Sequence, residues 1–172
     1  EAGVVDLTIE VIDVAALLEG LRATIAPLAA AQGNRLNIAA AALPAIRSDR
    51  QRILQILLNF AGNACKFTTD GTITVGAALT SDAQRVRIEV ADTGVGMTPE
   101  QLATIFAPFV QVDESASRRR QGTGLGLAIT RELAKALGGS VVAASVAGQG
   151  STFALELPRD APLPRMPTRS SG

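Results

Sequence analysis

Histidine is absent from the 172-residue chain. That excludes His-dependent hydrolysis, His–metal catalysis and phosphohistidine formation on the chain itself; any histidine it modifies belongs to another segment or molecule. Trp and Tyr are missing as well, and five Phe are the only aromatics, so no platform exists for stacking nucleic-acid bases. Sixteen basic and sixteen acidic side chains cancel, which argues against general nucleic-acid binding. The single cysteine, Cys65, allows neither an intrachain disulfide nor a cysteine-cluster zinc site, and suits a reducing, cytoplasmic setting. No run approaches the roughly 18 continuous apolar residues of a membrane span, and no signal-peptide pattern opens the chain. The start, Glu1-Ala2-Gly3, lacks a Met and reads as a cut from something longer.

What is present suits one globular domain: 47% apolar and 19% charged residues, in a length that can bury a core of Leu, Ile, Val and Ala. Leu7 to Ile12 alternates like a half-buried strand. Asp13 caps a helix through about Gln32, with Leu17, Leu18, Leu21, Ile25 and Leu28 as its stripe and a kink expected at Pro27. Gly33-Asn34 is a turn, and Arg35 to Ala40 a strand. Ser48 or Asp49 caps a second helix through Lys66. A hairpin, Thr72–Leu79 and Arg85–Ala91, follows, then a short helix from Pro99 to near Phe106. Val110 to Gln121 is polar and lacks an apolar period, which predicts a mobile loop. A helix from Gly124 to Leu137 and strands Ser140–Val146 and Ser151–Leu157 complete the series. From Pro158 on, the chain is a Pro-rich irregular tail.

Three segments carry chemistry. Asn59, Asn63 and Lys66 are spaced four and three apart and share one face of the second helix, while Ile53, Leu57, Phe60 and Ala64 mark its apolar side. An Asn oxygen is a hard neutral ligand suited to Mg²⁺ that already carries phosphates, and Lys66 is a point charge for a phosphate; the bland alternative is a solvated polar face. Asp92 ends an apolar strand before Gly94 and Gly96, where a carboxylate can accept from an exocyclic amine such as that of adenine; a plain turn has the same composition. Gly122-Thr123-Gly124-Leu125-Gly126-Leu127 opens a helix whose N–H groups can hold phosphate oxygens. It is neither a Walker A loop nor a dinucleotide turn. Arg118, Arg119 and Arg120 precede it as further phosphate donors or a solvated charge run.

The ordered set of N-x-x-x-N-x-x-K-F, D-x-G-x-G, Phe106 with Phe109, and G-T-G-L-G-L resembles the catalytic ATP-binding (HATPase) domain of two-component sensor histidine kinases, in the Bergerat-fold superfamily shared with DNA gyrase and MutL. The resemblance covers Val4 to Leu157, leaving residues 1–3 as the end of an upstream dimerisation helix and 158–172 as the tail. It implies a two-layer α/β sandwich, a mixed sheet of about five strands packed against three helices, with a mobile ATP lid. It makes Asn63 the Mg²⁺ ligand and Asn59 its polar support. Asn59, Lys66, Arg118 and Arg119 become the phosphate-facing catalytic groups, and Phe67 packs beside the nucleotide. Asp92 takes the adenine amine, with Gly94, Gly96 and Met97 shaping the pocket and Thr152 completing it through water. Phe106 and Phe109 anchor the lid, and Gly122, Thr123, Gly124, Leu125, Gly126 and Leu127 hold the phosphates.

Hydrolysing members of the superfamily carry a Glu where this chain has Asn59. An amide cannot take a proton from water, so transfer to an imidazole delivered from outside is implied rather than ATP hydrolysis. The implied partners are ATP and ADP, the kinase's own phosphoacceptor helices and a response-regulator receiver, with no nucleic acid and no membrane insertion. The isolated segment would be a monomer and the full-length kinase a homodimer. Two other readings fit the motifs: a nucleotide-responsive docking module without kinase activity, and a related serine kinase.

Overall fold

Two aspartates set the long helices. Asp13 accepts from Ala16 N at 3.3 Å and Asp49 from Arg52 N at 3.1 Å, so each satisfies one of the orphan donors at a helix start. The computed structural model describes residues 5–108 and 126–162. In chain order its elements are β1 (Glu10–Ile12), α1 (Val14–Ala31), β2 (Arg35–Ala40), β3 (Ile46–Ser48), α2 (Arg50–Phe67), β4 (Thr72–Leu79), β5 (Arg85–Asp92), α3 (Pro99–Thr104), α4 (Gly126–Ala136), β6 (Ser140–Val146) and β7 (Gly150–Pro158).

Five strands form one mixed sheet in the order β2-β4-β5-β7-β6, with β2 parallel to β4 and the remaining pairs antiparallel. Strand alternation gives the sheet a helix-facing side. Val75 pairs with Val90 and Ala77 with Ile88; across the next pair, Val90 meets Phe153 and Ile88 meets Leu155. These residues are buried beneath α1, α2 and α4. The opposite side carries Arg87, paired with Glu89 and, at 2.8 Å, with Glu156. The expected two-layer α/β architecture is therefore observed.

Apolar stripes fix the helices. Val14, Leu17, Leu18, Leu21, Ile25 and Ala29 of α1 are buried, while Glu19 and Arg22 pair on its exposed side at 3.0 Å. At 18 residues and mean hydropathy 1.4, α1 is long and apolar enough to cross a membrane by length and composition, but its stripe packs on α2 and the sheet. It continues as one helix through Pro27. In α2 the buried set is Ile53, Ile56, Leu57, Phe60, Ala61, Ala64 and Cys65, and burial pushes the Cys65 thiol pKa up. Phe60 stacks on Phe153 with centroids 5.3 Å apart, and Phe106 meets Phe153 edge-on at 6.4 Å.

Four expectations need correction. The first strand is only Glu10–Ile12 and lies outside the main sheet; it pairs with β3, which was not foreseen, in a separate two-stranded sheet. Ile46-Arg47-Ser48 is too short to show a period. α3 stops at Thr104, before Phe106. Ordered structure also continues past Leu157: Arg47 N donates to Arg159 O and Ala161 N to Arg47 O, both at 2.8 Å, and Ala161 is buried.

Candidate functional site

The polar side of α2 forms one wall. Asn59, Asn63 and Lys66 are half-buried along it, next to the fully buried Phe60. Asn59 stands against the first residue of α4: a Cβ on Gly126 would lie 2.8 Å from Asn59 Nδ2 and 3.0 Å from its Cγ. The glycine therefore lets the N-terminal end of α4 approach the amide directly. Leu127 packs against the core. The Lys66 ammonium lies 5.3 Å from the centre of the Phe67 ring, a cation–π separation.

A second wall forms where β5 ends. Gly94 N donates to Asp92 Oδ1 at 2.9 Å. A Cβ on Gly94 would run into Phe67 O, and would sit 2.7 Å from Thr68 Oγ1 and 2.9 Å from Asp92 Oδ1, so this backbone needs a glycine to lie against the end of α2. Gly96 has φ of +63° and packs on the Val146 carbonyl. The turn is thereby pressed onto the β6–β7 hairpin, where Gly148 N donates to Val95 O at 2.7 Å. Met97 is buried, and its N–H donates to Ser145 Oγ at 2.8 Å.

Asp92 is the chemically distinctive member of this wall. Burial pushes its carboxyl pKa up; the Gly94 amide, the Ser151 main chain and the Thr68 hydroxyl pull in the other direction. The result is a half-buried acceptor held by its neighbours without a cation among the groups that shift it. In register, Asp92 pairs with Ser151 and Ser151 with Ser145, and the two hydroxyls are 2.8 Å apart. These three share the helix-facing side. Thr152, expected here, pairs instead with Ala91 and Ala144, so the two-residue period of the strand turns it to the far side. Ser151, in phase with Phe153 and Leu155, occupies the position expected of Thr152.

Asn34 locks the two walls together and was read in the sequence only as part of a turn. It is 8% exposed, donates to Thr68 O at 2.7 Å and accepts from Gly71 N at 3.0 Å. Thr72 N in turn donates to Thr93 Oγ1 at 2.9 Å, and Val95 N to Phe67 O at 3.3 Å. Asn34→Ala strands a carbonyl and an amide and is expected to cost about 1–3 kcal/mol, measured as a lower denaturant midpoint.

Phe109, Arg118, Arg119, Gly122, Thr123, Gly124 and Leu125 lie outside the described residues. Among the described residues no cluster of three His, Cys, Asp or Glu could hold a metal; a cation near Asn63 would have to arrive with oxygens of its own. A separate cleft of about 630 Å³ lies between the start of the chain and α2, lined by Thr8, Glu10, Asp49, Arg50, Leu54 and Leu58 among others. It contains none of the motif residues. Its Arg50–Glu10 pair and its Thr8 N to Asp49 bond, both 2.8 Å, tie β1 to α2.

The family described as histidine kinase-, DNA gyrase B- and HSP90-like ATPase matches residues 48–161. A sensor-like histidine kinase of Rhizobium meliloti is 36% identical over 163 residues, covering 94% of this chain and 31% of that protein. Hybrid signal transduction histidine kinase B of Dictyostelium discoideum is 43% identical over 129 residues, 73% of this chain and 6% of that protein. Among solved structures, full-length ShkA in complex with AMPPNP superposes with a TM-score of 0.82 at 40% identity, over 91% of this chain and 32% of that one. The chain thus spans about a third or less of each of these three proteins.

Proposed function

Because the chain belongs to the histidine kinase-, DNA gyrase B- and HSP90-like ATPase family, we propose that it is the ATP-binding catalytic domain of a sensor histidine kinase. In this reading it transfers the γ-phosphoryl group of ATP to a histidine on a dimerisation domain, for onward passage to a receiver aspartate. The observation that carries the reading is the pairing of a half-buried carboxylate at Asp92, with no cation among the groups that shift it, with an amide-and-ammonium helix face at Asn59, Asn63 and Lys66. One wall suits an amine-bearing base and the other suits phosphates. α2 joins them: from Asn59 to Thr68 is about 13 Å along its axis.

The Asp92 carboxylate accepts the exocyclic amine of adenine, and the Ser145–Ser151 hydroxyls hold the water that completes that edge. Gly94, Gly96 and Met97 shape the pocket for a flat base, and Phe67 flanks it. At the other end Lys66 meets a phosphate, Asn59 orients the phosphate side, and Gly126 and Leu127 open α4 beneath it. Asn63 holds Mg²⁺ through its amide oxygen, and the bound ion supplies charge neutralisation on the phosphates. The remaining lid and glycine residues, Phe109, Arg118, Arg119 and Gly122 to Leu125, keep the roles that the family resemblance gives them.

With an amide at Asn59 and no carboxylate there, nothing at that position takes a proton from water. An imidazole brings its own lone pair, so the chain has only to align it and offset charge. With no histidine in the chain, the acceptor in this reading belongs to another segment of the kinase or to its partner copy. Asn63→Ala is expected to remove the Mg²⁺-dependent part of ATP-analogue binding and leave the metal-free part, as read by calorimetry with and without Mg²⁺. Acid-labile phosphate on a supplied histidine-bearing dimerisation domain would support the kinase reading. Tight ATP binding with no transfer to its own dimerisation domain would defeat it.

A further inference from the structure

Thr68 caps the end of α2 and is 1% exposed, with its Oγ1 buried and the Asp92 carboxylate as the group its hydroxyl acts on. A buried hydroxyl left unsatisfied costs about 1–3 kcal/mol, so one kept this far from solvent beside a carboxylate calls for a cause. Two observations supply one. The point where a Cβ on Gly94 would sit is 2.7 Å from Thr68 Oγ1 and 2.9 Å from Asp92 Oδ1; the hydroxyl and the carboxylate face the same gap, which exists because residue 94 has no side chain. The rest of Thr68 is held in place. Its carbonyl takes the Asn34 amide at 2.7 Å, and its methyl lies 2.6 Å from where a Cβ on Gly71 would be. With the methyl on the Gly71 side, the hydroxyl is left on the side of Asp92.

We propose that Thr68 is a positioning residue for purine selection: its hydroxyl donates to the Asp92 carboxylate and aims that carboxylate at the exocyclic amine of the base. The inference rests on the reading that Asp92 receives the adenine amine. Asp92 Oδ1 already accepts from Gly94 N, and a second donor on the carboxylate fixes its rotation so that the remaining lone pairs point in one direction. Thr68 itself does not touch the nucleotide, since its oxygen is closed off from solvent. Its hydroxyl also works against the burial that raises the Asp92 pKa, which favours the ionised form of the acceptor. A 6-oxo purine would present an oxygen to that fixed carboxylate and be rejected, because two acceptors cannot pair.

The test compares wild type, Thr68→Val and Thr68→Ser for binding of an ATP analogue and of purine riboside triphosphate, which lacks the amine. Valine keeps the shape and removes the hydroxyl, and serine restores it. Thr68→Val is expected to weaken the ATP analogue about tenfold or more, the scale of a hydrogen bond to a charged group. Thr68→Ser should stay within about threefold of wild type on the same scale, and the amine-free nucleotide should bind all three proteins alike. Should the valine variant not fold, Thr68→Ala carries the same comparison. Unchanged ATP-analogue binding in the hydroxyl-free variant overturns the inference. Equal losses for both nucleotides, or a serine variant as weak as valine, do so as well. A wild-type protein that binds no ATP analogue defeats the nucleotide reading itself, and this one with it; the other adverse results defeat the Thr68 role alone.

Discussion

Asp92→Asn is expected to weaken ATP-analogue binding about a hundredfold while leaving the domain as stable as wild type, or more so, at neutral pH. The binding estimate follows from the site. Gly94 N donates to Asp92 Oδ1, so an Asn here would give its oxygen to that amide and turn its NH₂ toward the base. Donor would then face donor, and a charge-assisted hydrogen bond worth about 1.5–3 kcal/mol would be replaced by a repulsive contact. The stability estimate follows from the pKa. Burial raises the Asp92 pKa above its ordinary value, so in that pH window the native state binds the proton more readily than the unfolded chain. Stability therefore falls as pH rises from the ordinary Asp value through the raised native one. Asparagine removes that ionisation, and with it the fall. The same shift predicts that wild-type ATP affinity declines on acidification at a higher pH than an ordinary carboxylate would give. Calorimetric titration across pH, paired with denaturant melts, reads both effects. An Asn variant that binds within about threefold of wild type would mean that Asp92 does not receive the amine.

Phe60→Ala is the expected extreme for stability. Phe60 is fully buried, packs its ring 5.3 Å from Phe153 and sits between α2 and the sheet. Few side chains are available to close over the gap, since the only other described aromatic in that cluster, Phe106, meets Phe153 at its edge. Truncation is expected to cost about 3–5 kcal/mol, the transfer term plus the cavity it leaves. That is a large share of the roughly 5–15 kcal/mol that holds a domain together. Urea unfolding should show a lower midpoint at an unchanged slope. Because Phe60 adjoins Asn59 and Asn63 on α2, nucleotide affinity is best measured well below the new transition. A loss under about 1 kcal/mol would mean that the core collapses around the missing ring.

Much of this fold was legible from periodicity. The stripes of α1 and α2 and their caps at Asp13 and Asp49 could be read because each helix buries one face and begins with a side chain that replaces a missing hydrogen bond. Asp92 was legible because it continues the alternation of Val86, Ile88 and Val90. The same rule, carried one strand further, would have chosen Ser151 over Thr152, since Phe153, Leu155 and Leu157 set the phase of β7. That signal was present and the motif obscured it. β3 gave no such signal; three residues make no period, and their partner β1 lies far away in the sequence, on the other side of α1 and β2. Asn34 and Thr68 were also beyond reach. Their importance comes from bonds between the turn before β2 and the turn before β4, segments that meet only in three dimensions.

The pairing of β5 with β7 has a consequence for how the chain comes into being. Strands β4 and β5 are joined by a short turn, so they can meet early. β5 and its other neighbour are separated by everything from Thr93 to Gln149, and that pairing needs closure of a long loop. Asp92 meets Ser151 at the end of this late-closing pair. During synthesis, which proceeds from the N-terminus, α2 and Asp92 leave the ribosome well before their pocket can be completed. A nascent chain stopped before β7 would carry Asn59, Asn63, Lys66 and Asp92 but lack Ser151, the strand partner of Asp92. In the proposed reading, capture of nucleotide would then report that β7 has docked.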